Sequence, residues 1–306
     1  GIWYLHNRPR TTQKQYYIYA SNKIIMPIAP SELILTDKGS IYHLDLRPEQ
    51  IATTIITVGD PDRVELVSRY FDRVDYRVQH REFVTHTGML GSKRISVLST
   101  GIGTDNIDIV LNELDALVNV DFETREIKKE KVSLDIIRIG TSGTIRSEIE
   151  IDQIILSKGA IGLDGLMHFY ERETDQCEDE LLNWDIPWPI KPYMTWGSKK
   201  LLDQFSKLGE QAITISSTGF YGPQNRMIRL KPKVSNFFEL LDNQIIDGSR
   251  IGNLEMETSG LYGLSEILGH ECISINAIIA NRALGVFSKD PAKTVKRTIE
   301  SALGLI

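Results

Sequence analysis

The stretch Leu134-Asp135-Ile136-Ile137-Arg138-Ile139-Gly140-Thr141-Ser142-Gly143 decides the fold class. Its apolar, β-branched half reads as a buried strand, and the Gly-Thr-Ser-Gly that follows reads as a tight loop. Arg138 stands inside the apolar run, where an unpaired guanidinium is expensive. Small residues with free N–H groups and hydroxyls come next, which suits a phosphate or another oxyanion at the mouth of a parallel sheet. A structural arginine paired with a carboxylate at a strand end fits this stretch alone equally well.

Two further segments tip the balance toward an anion site. Thr53–Val58 is a strand pattern that runs into Gly59-Asp60-Pro61-Asp62-Arg63. Asp60 is an N-cap residue with proline at the first helical position, and Val64, Leu66, Val67 and Tyr70 continue at helical spacing. Gly59 lets backbone approach a ligand, with Arg63 in the first helical turn beside it. In the third segment, His80-Arg81-Glu82-Phe83, Arg81 precedes a strand with Phe83, Thr85 and Thr87 on one face. One such arginine is ordinary surface charge; three beside glycine turns or strand ends favour an anion.

Composition narrows the class. The 306 residues are 41% hydrophobic and 25% charged, enough for a sizeable core and ordinary for a globular protein. A net charge of −6 argues against nucleic-acid and anionic-membrane partners, so any basic cluster is local. No apolar run reaches transmembrane length and the N-terminus lacks a signal-peptide core, which points to the cytoplasm. Cys177 and Cys272 lack metal-type spacing and read as reduced thiols.

Strand patterns near 54–58, 83–87, 94–98, 134–139, 152–156, 211–216 and 271–278 alternate with helix patterns near 62–70, 105–118, 198–208, 235–246, 258–268 and 291–303. The helix over 105–118 is the clearest, with Ile107, Val110, Leu111, Leu114, Leu117 and Val118 on one stripe. Residues 1–40 read as an N-terminal extension and 41–306 as one α/β domain, with 119–133 a charged loop or exposed helix. Thr100-Gly101-Ile102-Gly103-Thr104-Asp105-Asn106 joins strand to helix but lacks the third glycine of a dinucleotide loop, so strand–helix packing explains it better.

The second half carries different chemistry. Glu255 and Glu257 would share a face if extended and can accept hydrogen bonds from neighbouring sugar hydroxyls; the alternative is that they cap the following helix. Thr218-Gly219-Phe220-Tyr221-Gly222-Pro223-Gln224-Asn225-Arg226 offers aromatics to stack on a heterocycle. It adds an amide and a guanidinium that match uracil's carbonyl–NH–carbonyl edge.

At this point the chain resembles the uridine phosphorylases, a branch of the nucleoside phosphorylase superfamily, over about residues 40–300. The matching motifs are Tyr42-His43-Leu44, Gly59-Asp60-Pro61-Asp62-Arg63, His80-Arg81-Glu82-Phe83, Ser99-Thr100-Gly101-Ile102-Gly103, Arg138-Ile139-Gly140-Thr141, Phe220-Tyr221 with Gln224 and Arg226, Glu255-Met256-Glu257, and Asn281-Arg282. The resemblance implies a twisted mixed sheet flanked by helices, assembled as a hexamer of dimers. It implies phosphate at Gly59, Arg63, Arg138 and Thr141, with Arg81 reaching in from the dimer partner. It implies ribose at Thr141, Met256 and Glu257, with His43 of the neighbour near the 5′-hydroxyl, and base at Phe220, Gln224 and Arg226. Glu113 and Arg282 match positions supporting the base loop or Arg138. A monovalent cation such as potassium is implied at Glu82, Ile102 and Asn106, with Asn106 where some relatives have serine. No other cofactor is expected besides phosphate as co-substrate.

The expected reaction is phosphorolysis of uridine, and of deoxyuridine or thymidine, to uracil and pentose 1-phosphate, with Arg138, Arg226 and Glu257 as the catalytic set. Purine-cleaving relatives carry a Ser-Asp pair near Asn281-Arg282, which this chain lacks. A purine phosphorylase, a nucleosidase and a non-catalytic nucleoside-binding protein are the alternatives; the last two have no need for three phosphate arginines.

Overall fold

A computed structural model of the chain describes residues 27–306. Its strands are β1 (Thr54–Val58), β2 (Arg73–His80), β3 (Phe83–Leu90), β4 (Lys93–Ser99), β5 (Val120–Asp121), β6 (Glu126–Ile127), β7 (Asp135–Thr144) and β8 (Ile154–Leu163). They continue with β9 (Tyr193–Trp196), β10 (Glu210–Ser217), β11 (Ile245–Ile246), β12 (Ser249–Glu255), β13 (Glu271–Asn281) and β14 (Val286–Phe287). The α-helices are α1 (Asp62–Ser68), α2 (Thr104–Asn119), α3 (Gln176–Asn183), α4 (Lys199–Phe205), α5 (Phe237–Leu241), α6 (Thr258–Leu268) and α7 (Pro291–Leu303).

Twelve strands form one mixed sheet in the order β11-β12-β10-β8-β13-β7-β1-β4-β3-β2, with β9 and β14 on its margins. Strands β4, β1, β7 and β13 run parallel, as the apolar runs in β1 and β7 demand. Strand β12 also pairs antiparallel with β7 through Asn253–Thr144 and Leu254–Gly143, so β7, β13, β8, β10 and β12 close into a ring. The stretch 140–143 is therefore the continuation of β7 and not a loop; its small side chains let β12 approach.

Apolar periodicity explains the layers. In α2 the stripe Ile107, Val110, Leu111, Leu114 and Leu117 is buried against α6 and β7 residues, while Asp105 and Asn112 face out. On the other side, α1, α4 and α7 bury Val64, Val67, Leu201, Phe205, Val295 and Ile299 against Ile56, Ile137 and Ile273. From the expected extension, Leu33 is buried and the Ile28 N–H donates to the Arg125 carbonyl, so residues 28–40 pack on the body. The expectation for residues 1–26 lies outside the described residues.

Other expectations change in detail. The helix expected over 235–246 shrinks to Phe237–Leu241, because Asp247 and Gly248 both take positive φ and turn β11 into β12. The charged stretch 119–133 is the small β5–β6 hairpin and exposed loop. Asp60 makes its capping bond one residue early, accepting from the Asp62 N–H at 2.9 Å.

Candidate active site

The carboxyl ends of β1, β4, β7, β10 and β12 border a cleft of about 680 Å³, where ligands of open parallel sheets are expected. Gly59 and Arg63 reach it from the β1–α1 turn, Arg138 and Thr141 from β7, Met256 and Glu257 from the β12–α6 junction, and Phe220, Gln224 and Arg226 from the loop after β10. The structure thus brings together nine residues that are scattered over the chain.

Arg138 is the buried centre. Its Nη1 donates to Asn276 Oδ1 at 3.0 Å and Ser274 Oγ at 3.2 Å, both on neighbouring β13. Its Nη2 donates to Glu257 Oε2 at 2.6 Å and lies 3.2 Å from Glu255 Oε2. Burial works against the guanidinium's charge, but Glu255 and then Glu257 outweigh it and hold its pKa above the ordinary value. Gly140, two residues on along the same face, is required because a Cβ there would collide with the Arg138 guanidinium. Arg138 is thus paired with carboxylates, as the structural reading had it, and also lines the cleft.

The two glutamates have different work. Glu255 is buried, and its oxygens accept from Ser216 Oγ (2.5 Å) and from the backbone N–H groups of Glu257 (2.9 Å) and Thr258 (2.9 Å). It caps α6, the second of the two readings open from the sequence, and has no capacity left for a sugar. Burial raises its pKa, with Arg138 pulling the other way. Glu257 takes only the Gly103 N–H on Oε1 (2.8 Å) and Arg138 on Oε2, so each oxygen keeps acceptor capacity toward the cleft. Gly103 itself sits at φ +93° before α2. The glycine turn therefore positions a carboxylate as well as packing a strand on a helix.

Arg63 lies beside this centre, its Nη1 3.5 Å from the Ile139 carbonyl. Desolvation lowers its pKa; Asp60 opposes this and the nearby Arg138 adds to it. At the other end, Gln224 is buried, donating to the Glu255 carbonyl at 3.2 Å and accepting from Arg226 Nη1 at 2.5 Å. The Arg226 guanidinium stacks 3.7 Å above the Phe220 ring. Desolvation, with help from Arg282, lowers the Arg226 pKa to about 10. Arg282 donates to the carbonyls of Gln224 (2.8 Å) and Asn225 (3.2 Å), both in the loop after β10.

Several expected residues fall elsewhere. Glu113 accepts from His43 Nδ1 at 2.6 Å and from the backbone N–H groups of His43 and Leu44, so it holds His43 and neither the loop nor Arg138. His43 and Arg81 do not line the cleft of their own chain; Arg81 is exposed at the β2–β3 turn with φ +54°. Glu82, Ile102 and Asn106 do meet around Gly101. There the Asn106 amide N–H faces the Ile102 carbonyl at 3.4 Å. Among the described residues no cluster of His, Cys, Asp and Glu is fit to hold a metal. Ser274 and Asn276, the uncharged partners of Arg138, escaped notice because a strand interior gives no signal for them.

A family model described as the phosphorylase superfamily matches residues 53–304. A uridine phosphorylase of Thermococcus kodakarensis is 29% identical over 277 residues, covering 89% of this chain and 88% of its own. A DeoD-type purine nucleoside phosphorylase of Clostridium novyi is 28% identical over 267 residues, covering 86% of this chain and 98% of its own. Among solved structures, a Trypanosoma brucei nucleoside phosphorylase, described as showing uridine phosphorylase activity, aligns with TM-score 0.82 at 27% identity. That alignment covers 89% of this chain and 98% of the other. Since the family match spans the whole sheet and every cleft residue from Gly59 to Phe287, the chain belongs to the phosphorylase superfamily.

Proposed function

We propose that the chain is a uridine phosphorylase, a pentosyltransferase that converts uridine and phosphate to uracil and ribose 1-phosphate. Relatives named uridine phosphorylase from several organisms align over nearly nine-tenths of the chain, and the Trypanosoma structure adds support at the level of fold and sequence. The observation that carries the reading is the half-buried Arg226, without a carboxylate partner among the described residues, bonded to the buried amide of Gln224.

Phosphate is the nucleophile. Arg63 and Arg138 offer it charge-assisted bonds, with Gly59 and Thr141 beside them, and fixing it over the anomeric carbon makes the attack an oriented step. Glu257 accepts from ribose hydroxyls on its two remaining acceptor positions, with Met256 against the sugar. As the glycosidic bond breaks, the pyrimidine gains negative charge on its carbonyl oxygens. Arg226 and the Gln224 amide meet that charge in a partly desolvated place, the logic of an oxyanion hole. Among the described residues no carboxylate lies within ion-pairing distance of Arg226, and Asn281 spends its amide on the carbonyls of Arg146 and Ile149. Asn281-Arg282 accordingly offers no acid to protonate a purine.

Arg81 and His43 act in the neighbouring subunit's site, and the working unit is at least a dimer, with a hexamer expected from the resemblance. Exposed Ile102, Leu284 and Phe287 near the cleft support a covering partner. The carboxylate of Glu82, the carbonyl of Ile102 and the amide oxygen of Asn106 are the donors that would hold a monovalent cation, and no step runs through one. No helix among the described residues is long and apolar enough to cross a membrane, and a cytoplasmic location is our reading. Deoxyuridine and thymidine are the further substrates to try. The deciding assay follows uracil release from uridine with and without phosphate: strict dependence, with ribose 1-phosphate formed, is expected. Turnover in phosphate-free buffer would identify a nucleosidase instead.

A further inference from the structure

A second cavity, also about 680 Å³, lies behind the base-reading loop. Its walls include Leu163 at the end of β8, Ile190, Tyr221 and the buried Phe237 of α5. The segment after the loop, residues 228–234, forms the facing side. In it Ile228 is 78% exposed and Leu230 81% exposed, an unusual position for two large apolar residues flanking Arg229.

The charge in this cavity is one-sided. Its ionisable lining residues are Arg226, Arg229, Lys231 and Lys233, with no aspartate or glutamate, although the whole chain carries −6. Among the described residues none of the four has a carboxylate within ion-pair distance. Four unpaired cations around an apolar, aromatic hollow are complementary to a molecule that is itself both flat and anionic. Tyr221 and Phe237 supply ring faces, and the guanidinium groups supply planar donors for a carboxylate, sulfonate or phosphate. The volume lies within the range that holds a drug-sized ligand.

We propose that this cavity is a binding site for a small aromatic anion, distinct from the nucleoside cleft and joined to it through Arg226. The proposed activity puts Arg226 on the departing base, so an anion bound in this cavity, which Arg226 also lines, competes for the same guanidinium; this last consequence alone rests on the uridine phosphorylase reading. Occupancy then weakens uridine binding and leaves phosphate binding at Arg63 and Arg138 untouched.

The probe is 8-anilinonaphthalene-1-sulfonate, an aromatic sulfonate whose fluorescence rises in apolar surroundings, added to the native protein without substrate. Saturable binding is expected in wild type. Replacing both Lys231→Glu and Lys233→Glu should weaken it about tenfold, the effect of two lost and inverted surface ion pairs. Arg63→Gln, in the nucleoside cleft and outside the buried Arg138 cluster, should leave it unchanged, and the uncharged N-phenyl-1-naphthylamine should bind the wild type and the Lys231/Lys233 variant alike. Circular dichroism checks that the Lys231/Lys233 and Arg63→Gln variants are folded. No saturable binding, or binding indifferent to the two lysines, overturns the proposal; loss on Arg63→Gln would move the anion into the nucleoside cleft and overturns it too. None of these outcomes depends on whether uridine is the substrate. With turnover established, the sulfonate should raise the KM for uridine and not that for phosphate.

Discussion

Replacing Arg138 by methionine removes the one cation between two buried carboxylates. The wild-type guanidinium lies 2.6 Å from Glu257 and 3.2 Å from Glu255, and it also satisfies Ser274 and Asn276. Breaking such a buried cluster from one side costs about 3–5 kcal/mol, a large share of the roughly 5–15 kcal/mol that keeps a domain folded. The loss should depend on pH in a definite direction. Without Arg138, at least one carboxyl has its folded pKa raised above the unfolded value near 4.3. A raised pKa contributes stability below the unfolded value and loses it as pH rises through the folded one. The deficit relative to wild type should therefore be largest at pH 7.5 and shrink toward pH 5, measured by urea unfolding at both. Adding Glu257→Gln to Arg138→Met should recover much of the loss at pH 7.5. A variant as stable as wild type at pH 7.5, or one whose deficit grows on acidification, would refute the reasoning that the three charges form one balanced unit.

Arg226→Ala should lower uridine turnover by about 10²–10³-fold, the usual effect of losing one preorganised donor, and narrow the gap between uridine and cytidine. Cytidine should be a very poor substrate of wild type, since cytosine's amino group finds no acceptor on Arg226 and Gln224 can satisfy only part of its edge; an enzyme faster on inosine than on uridine would defeat the base assignment. Mixing inactive Arg81→Ala and Glu257→Ala proteins should restore activity after subunit exchange, because one site of each mixed dimer carries neither defect. Failure in verified mixed oligomers would assign Arg81 to its own chain. His86 is buried, bonded at 2.7 Å to Ser68 Oγ, and its pKa is lowered by burial first and Arg77 second, with Glu65 opposing. The unfolded imidazole therefore binds its proton more readily, so this contribution to stability is present above about pH 6.5 and lost as pH falls. His86→Gln should flatten the fall in unfolding free energy between pH 7 and 5, and an unchanged slope would count against it.

The α/β class was legible in the sequence because the parallel strands β1, β7 and β13 are buried on both faces and so read as apolar runs, while α2 and α7 show helical stripes. Strands β2 and β12 were not legible: β2 is a charged edge whose Val74, Tyr76 and Val78 are only half buried, and β12 is polar because it faces the site. The motif residues of the cleft could be named from the sequence, since backbone turns and charged side chains leave local signatures. Their division of labour could not. That Glu255 caps α6 while Glu257 stays open, that Glu113 serves His43, and that Ser274 and Asn276 hold Arg138 depend on which atoms meet across strands far apart in the chain. Sequence periodicity decides which face a side chain takes, but hydrogen-bond partners are set by strand register and by the closing of β12 on β7, and only the tertiary structure decides those.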